Sequence, residues 1–236
     1  MPIPPEAVLF DMDGTLIDSE PIWFDTEISI LADYGYLLGR EHWVNVLGKP
    51  NEVAVQYLLD VSGIPLTPQQ LNQRIEAAMV ERLGGGIELV PGAKELFTEL
   101  DAAGIPAALV TASSRRIVEA CLSSIGADHF RLTISGDDVT HGKPHPEPYL
   151  KAARTLGVAP ERCAVIEDSP NGSRSAASAG CQVLVIPHEA PIDPHPLISV
   201  ADSLADVDLN RLRRLFAPAD GSGPGDGSGR ADGLAR

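Results

Sequence analysis

Val8-Leu9-Phe10-Asp11-Met12-Asp13-Gly14-Thr15-Leu16 sets two carboxylates two residues apart where an apolar run gives way to a turn. Ala7 to Phe10 are apolar without alternation, the pattern of a short strand buried on both faces, and polar residues and a glycine follow at once. The chain must turn there, so Asp11 and Asp13 can face one cleft while Gly14 lets the backbone come close to a ligand. Two like charges held so close disfavour each other's ionisation unless a cation sits between them, which implies a hard divalent ion. Taken alone, the motif has a plainer reading as an ordinary Asp/Gly turn.

Three later segments bear on that choice. Pro106 to Val110 is a second apolar strand, running into Thr111-Ala112-Ser113-Ser114, hydroxyls and amides at the opening of a helix, where anions bind. Gly142-Lys143-Pro144-His145-Pro146 is too proline-rich to be helical and carries a single lysine. Cys163 to Ile166 is a third strand, running into Glu167-Asp168-Ser169-Pro170-Asn171-Gly172. Two acidic groups, hydroxyls with amides, a cation and two more acidic groups make a phosphate-and-magnesium site assembled from strand ends. Ligands of open α/β sheets bind at such carboxyl ends when the strands are parallel.

At this point the chain resembles the haloacid dehalogenase superfamily, in its helically capped phosphatase and sugar-phosphate mutase branch. All four of that family's motifs occur in order, within Ala7 to Pro187. The resemblance implies an α/β fold, a doubly wound parallel sheet with an inserted α-helical cap. Asp11 is then the nucleophile that takes up the phosphoryl group as an aspartyl-phosphate. Asp13 protonates the departing alkoxide and afterwards deprotonates the hydrolytic water. Asp11, the Asp13 carbonyl and Asp168 form an oxygen-only ligand set that suits Mg²⁺, with Glu167 a further ligand, directly or through water. Thr111, the Ala112 amide and Lys143 supply fixed donors to the phosphoryl oxygens. Each has a bland alternative: Thr111 as a helix cap, Lys143 as a solvated surface residue, Glu167 and Asp168 as turn carboxylates. Glu20, close behind the catalytic segment, is placed to hydrogen-bond substrate hydroxyls.

Dehalogenases similar to this pattern lack an acid/base at the Asp13 position, so Asp13 points to phosphoryl chemistry. Mutases similar to this chain carry a cap histidine in the segment occupied here by Trp23, so a phosphatase is the leading expectation and a mutase of the β-phosphoglucomutase type the alternative. Asp18-Ser19-Glu20-Pro21-Ile22-Trp23 resembles the 2-deoxyglucose-6-phosphatase and hexitol phosphatase group, which implies a sugar or polyol phosphate as substrate. A phospho-aspartate signalling module is a third reading. Such receivers are shorter and lack a helical insert after the first strand.

The formal net charge of −15 over 236 residues argues against nucleic acid as a partner, since binding a polyanion needs a basic surface. An anionic substrate then requires local cations, with Lys143, Lys49, Arg115, Arg116 and the metal as candidates. No segment has the apolar length to span a bilayer and Met1-Pro2-Ile3-Pro4-Pro5 has no signal-peptide pattern, so a cytoplasmic monomer is expected. Cys121, Cys163 and Cys181 are expected as reduced core residues. His141 and His145 are four apart, a spacing that suggests a metal pair, but Pro144 denies them the helical geometry that would bring them together, and they are expected as loop histidines, His145 ordering the Lys143 loop. Trp23 is expected to line the cleft or pack the lobe.

Strands alternate with helices along the chain. A helix starts at Asp18-Ser19-Glu20, with Phe24, Ile28 and Leu31 at helical spacing behind it. Helical patterns without a convincing strand continue to Glu88, broken at Leu47-Gly48-Lys49-Pro50-Asn51 and ended by Gly84-Gly85-Gly86. Residues 1–17 and 89–216 are therefore expected as the core domain, 18–88 as a hinged helical cap, and 217–236, nearly devoid of apolar residues, as a disordered tail. Leu132 to Ile134 and Gln182 to Ile186 complete the expected strands.

Overall fold

The computed structural model describes residues 4–46, 49, 51–187 and 191–217. The expected break at Leu47, Gly48 and Pro50 and the expected disorder of residues 218–236 lie outside the described residues. Strand β1 (Ala7–Phe10) is wholly buried and pairs in parallel with β2 (Ala107–Val110) on one side and β4 (Cys163–Glu167) on the other. With β3 (Phe130–Ile134), β5 (Gln182–Val185) and β6 (Ile198–Val200) these form one parallel sheet of six strands in the order β3-β2-β1-β4-β5-β6.

Side chains alternate across the sheet, and both faces are covered. Val8, Phe10, Leu109 and Ile166 meet helices α5 (Ala93–Ala103), α6 (Arg115–Ile125) and α9 (Leu209–Arg214) on one face. Leu9, Val110 and Val165 meet α7 (Glu147–Leu156) and α8 (Pro170–Ser178) on the other. This two-sided burial is why the central strands read as unbroken apolar runs. Phe10, Phe97 and Phe130 pack edge to face at 5.2 to 6.4 Å between centroids. The three cysteines are buried and free, as expected.

Between β1 and α5 the described chain is helical: α1 (Glu20–Asp33), the short α2 (Trp43–Val46), α3 (Asn51–Ser62) and α4 (Pro68–Gly84). Thr67 opens α4 with a complete capping box to Gln70 and Pro68 follows at the first position, both strong starts. Helix α4 packs against α1 and α3 and, across the cleft, against α6. Among the described residues no helix is long and apolar enough to cross a membrane.

The structure departs from the expected elements at a few ends. Strand β3 starts at Phe130, two residues before the expected Leu132, because Phe130 joins the aromatic cluster under the sheet. Strand β4 continues through Glu167, which stays in register with Val185. Strand β6 and helix α9 were not foreseen; they are short, and their apolar residues are too few to show a period.

Candidate active site

Asp11, Thr111 and Glu167-Asp168 leave the carboxyl ends of β1, β2 and β4, three neighbouring strands, so they open on one side of the sheet. A cavity of about 570 Å³ lies over these ends, lined by Asp11, Asp13, Thr111, Ala112, Lys143 and Asp168 together with Glu20 and Trp23 from α1. Residues predicted from separate parts of the chain thus meet in one place.

Lys143 holds the floor. Its Nζ donates to Asp11 Oδ1 at 2.6 Å, to Glu167 Oε1 at 2.6 Å and to the Val110 carbonyl at 2.9 Å, and stands 5.1 Å from the Tyr149 ring centroid. Burial alone would pull its pKa down, but the Asp11 and Glu167 carboxylates hold it above the usual lysine range. The solvated surface lysine is therefore not what the fold presents. Ser175 Oγ donates to the His145 carbonyl at 2.6 Å and His145 N to the Gly142 carbonyl at 2.9 Å, which fixes the loop that delivers Lys143.

Glu167 is fully buried and spent on protein donors: Lys143 and, at 2.7 Å, Tyr149 Oη on Oε1, then the Asp168 amide and the Ser169 amide and hydroxyl on Oε2. Burial opposes its charge, yet Lys143 and these donors keep its pKa below the ordinary value. A Cβ at Gly172 would collide with this carboxylate, so glycine at the start of α8 makes room for it. Asp168 differs. Burial first, then the charges of Asp11 and Glu167, push it up to about 10, and burial raises Asp11 to about 7 against the pull of Lys143. Asp11, Glu167 and Asp168 bring one oxygen each within 4.8 Å of one another. Gly14, at φ +80°, lies so close to Asp168 Oδ2 that a Cβ would overlap it, which packs the turn of the first motif directly onto this carboxylate. Two buried carboxylates that resist ionisation, gathered with only oxygen donors, fit a hard divalent cation.

Asp13 is held on both oxygens. Oδ1 accepts from Ser19 Oγ at 2.6 Å and Trp23 Nε1 at 3.5 Å; Oδ2 accepts from Ser113 Oγ at 2.7 Å and Thr111 Oγ1 at 3.3 Å. Ser19 precedes α1 but makes no side-chain cap, because its hydroxyl is turned to Asp13. Thr111 both touches Asp13 and accepts the Ser113 amide at 3.0 Å, a turn bond ahead of α6, whose N-cap is Ser114, so Thr111 is a site residue and not a helix cap. The roles of Ser19 and Ser113 were missed. The signal was present as hydroxyls flanking both motifs, but serine before a helix reads first as a cap.

Two expectations are corrected. Arg115 and Arg116 do not serve the cleft: Arg115 pairs with Asp138 and donates to Thr133, while Arg116 reaches Glu76 of α4 at 3.0 Å. Both open α6, neither lines the cavity, and the carboxylates of Asp138 and Glu76 take them. Ser114 Oγ also donates to Glu76, at 2.5 Å, tying α4 to the start of α6. Secondly, Pro144 does not separate the histidines. The loop folds His141 and His145 to 4.6 Å between ring centroids, with His141 Nδ1 3.0 Å from Glu147 Oε2. A turn before α7 achieves what a helix would have done. Lys49 is exposed at the cavity rim, and Trp23 both lines the cavity and reaches Asp13.

The model of the Haloacid dehalogenase-like hydrolase family matches residues 8–186. Hexitol phosphatase B of Escherichia coli (strain K12) is 32% identical over 216 residues, covering 89% of this chain and 94% of its own length. Hexitol phosphatase A of the same organism is 35% identical over 191 residues, covering 80% of this chain and 85% of its own. Among solved structures, CbbY from Rhodobacter sphaeroides in complex with phosphate aligns with a TM-score of 0.74 at 30% identity, covering 86% of this chain and 96% of its own.

Proposed function

Since the chain belongs to the haloacid dehalogenase-like hydrolases and its relatives are phosphatases, we propose that it hydrolyses small sugar or polyol phosphomonoesters through an aspartyl-phosphate on Asp11, with Mg²⁺ as cofactor. The observation that carries this reading is Asp11 at a strand end, bonded through one oxygen to a buried lysine at 2.6 Å, two residues from a carboxylate fixed by two serines. In this reading residues 1–17 and 89–216 form the core and 18–88 a cap whose α1 face closes over the site.

Asp11 Oδ1 is engaged by Lys143, so Oδ2 is the oxygen free to attack phosphorus in line with the leaving alkoxide. The P–O ester bond breaks as the Asp11–phosphorus bond forms, and Asp13 gives its proton to the alkoxide. Asp13 then takes a proton from a water whose oxygen attacks phosphorus, releasing inorganic phosphate and restoring the Asp11 carboxylate. Serine hydroxyls both donate and accept, so Ser19 and Ser113 can serve Asp13 in either protonation state. Thr111 and the Ala112 amide face the phosphoryl oxygens, and Lys143, whose three protons go to Asp11, Glu167 and the Val110 carbonyl, stabilises charge there by its own positive charge. Asp11, Asp168 and the Asp13 carbonyl would hold the metal, which supplies charge neutralisation of the phosphoryl group when bound. Glu167, saturated by five donors, acts by orienting Lys143 and not as a direct ligand.

Trp23 in the position where a mutase similar to this chain has a histidine favours hydrolysis over transfer of the phosphoryl group from Asp11 to a second sugar hydroxyl. Release of inorganic phosphate across a panel of hexitol, hexose and glycolate phosphates tests the reading. Steady turnover of hexitol 6-phosphates supports it. With β-glucose 1-phosphate and a trace of bisphosphate primer, accumulation of glucose 6-phosphate faster than phosphate would replace it by the mutase.

A further inference from the structure

Glu27 is a carboxylate the mechanism does not use. It is only 7% exposed, it lines the cavity, and its Oε2 meets no hydrogen-bond donor among the described residues. Burial pushes its pKa up to about 7. A buried acceptor left without a donor keeps the full penalty of its lost hydration, a penalty that disappears when a ligand supplies the donor.

Its position says which part of a ligand that is. Glu20, Trp23 and Glu27 follow at intervals of three and four on α1, so they share the face that lines the cavity. Trp23 Nε1 lies 3.5 Å from Asp13 Oδ1 and anchors this face at the reacting end. Four residues further along, at the helical rise, Glu27 stands about 6 Å beyond Trp23 on the helix axis. A leaving group that departs from phosphorus along α1 therefore brings its far carbons, not its ester oxygen, to Glu27. The polar residues that α1, α3 and α4 add to this wall are carboxylates and amides, Glu20, Glu52 and Glu76 with Asn51 and Asn72, set beside the apolar Phe24 and Ala54 and facing the exposed Lys49. Arg116 and Glu76 offset each other as an ion pair, so the negative charge of this wall is that of Glu20, Glu27 and Glu52.

From this placement we propose that Glu27 accepts hydrogen bonds from hydroxyls at the far end of the leaving group, and so selects uncharged polyol and sugar monophosphates over phosphates whose leaving group carries a second anion. The inference rests on the phosphatase reading and adds the residue that sets its substrate class. A hydroxyl satisfies the orphaned oxygen; a carboxylate or second phosphate at the same place would face an acidic wall.

The test compares kcat/KM for sorbitol 6-phosphate, phosphoglycolate and p-nitrophenyl phosphate in the parent, E27Q and E27L. E27L should lower the ratio of sorbitol 6-phosphate to p-nitrophenyl phosphate by about tenfold or more, chiefly through KM, because substrate hydroxyls lose their acceptor. E27Q, nearly the same shape without the charge, should raise the ratio of phosphoglycolate to sorbitol 6-phosphate by about tenfold, and it carries the test alone should E27L not fold. Ratios that stay within about twofold of the parent, or a parent that prefers phosphoglycolate, overturn the proposal while leaving the phosphatase reading in place. A parent that releases no phosphate from any of the three removes both.

Discussion

Replacing Lys143 by Met removes a charge while roughly keeping a chain of the same length, and its consequences follow from the site. Asp11 and Glu167 each lose a partner at 2.6 Å, in a place where the side chains of Lys143, Asp11 and Glu167 are 6%, 9% and 0% exposed. Breaking a buried pair leaves an uncompensated charge and costs about 3–5 kcal/mol. For a chain of this size each kcal/mol lowers Tm by about 2–4 °C, so K143M should melt about 6–20 °C below the parent at pH 8 in chelator. The deficit should shrink on acidification. In the parent, Glu167 has a depressed pKa, so its stabilisation is present above the ordinary value of 4.5 and fades as pH falls through the folded value. Without Lys143 both carboxylates titrate upward, take protons readily and cease to oppose folding near pH 5. Thermal melts of parent and variant from pH 8 to pH 5 read this directly. Phosphate release by K143M should fall about 10²–10³-fold, the usual loss for a fixed charge aimed at developing anionic oxygens. A variant that melts within about 2 °C of the parent at pH 8, or whose deficit grows on acidification, would refute the reasoning.

Three further outcomes are expected. D13N should slow sorbitol 6-phosphate hydrolysis far more than the first, phosphate-transferring step with p-nitrophenyl phosphate, whose leaving group needs no acid; equal losses in pre-steady-state bursts would count against Asp13 as the proton donor. In EDTA the parent should gain stability as pH falls from 8 towards 5, because Asp11, raised to about 7, and Asp168, raised to about 10, bind more protons folded than unfolded there; saturating Mg²⁺ should flatten the curve and raise Tm more at pH 8 than at pH 6, and an equal increment at both would contradict the assigned ligands. Removing residues 217–236 should leave Tm and phosphate release unchanged, since that stretch has too few apolar residues to dock and carries none of the motifs; a marked fall in either would show that it does.

The sequence showed what burial and strand ends impose and missed what only distant packing creates. Ala7 to Phe10, Pro106 to Val110 and Cys163 to Ile166 were readable because a parallel strand covered on both faces must be continuously apolar, and the polar residues after each run mark its carboxyl end. Asp11, Asp13, Thr111 and Asp168 followed from those ends, and Lys143 from a loop too rich in proline to be helical. Three features depend instead on which helix packs where. They are the capture of Arg116 and Ser114 by Glu76, the diversion of Ser19 from its helix to Asp13, and the lone Glu27 oxygen. Neither a period nor a spacing records them. Glu27 in particular looks like any solvated glutamate of an amphipathic helix until α1 is laid over the cavity.

The central claim is covalent: phosphate passes through Asp11. Parent enzyme turning over sorbitol 6-phosphate with Mg²⁺, quenched in mid-turnover and reduced with borohydride, should yield homoserine at position 11 in peptide mass spectrometry, with D11N unreactive and folded. Aspartate recovered unchanged at position 11 from a quench that captures active turnover, or turnover by D11N near that of the parent, would contradict the account.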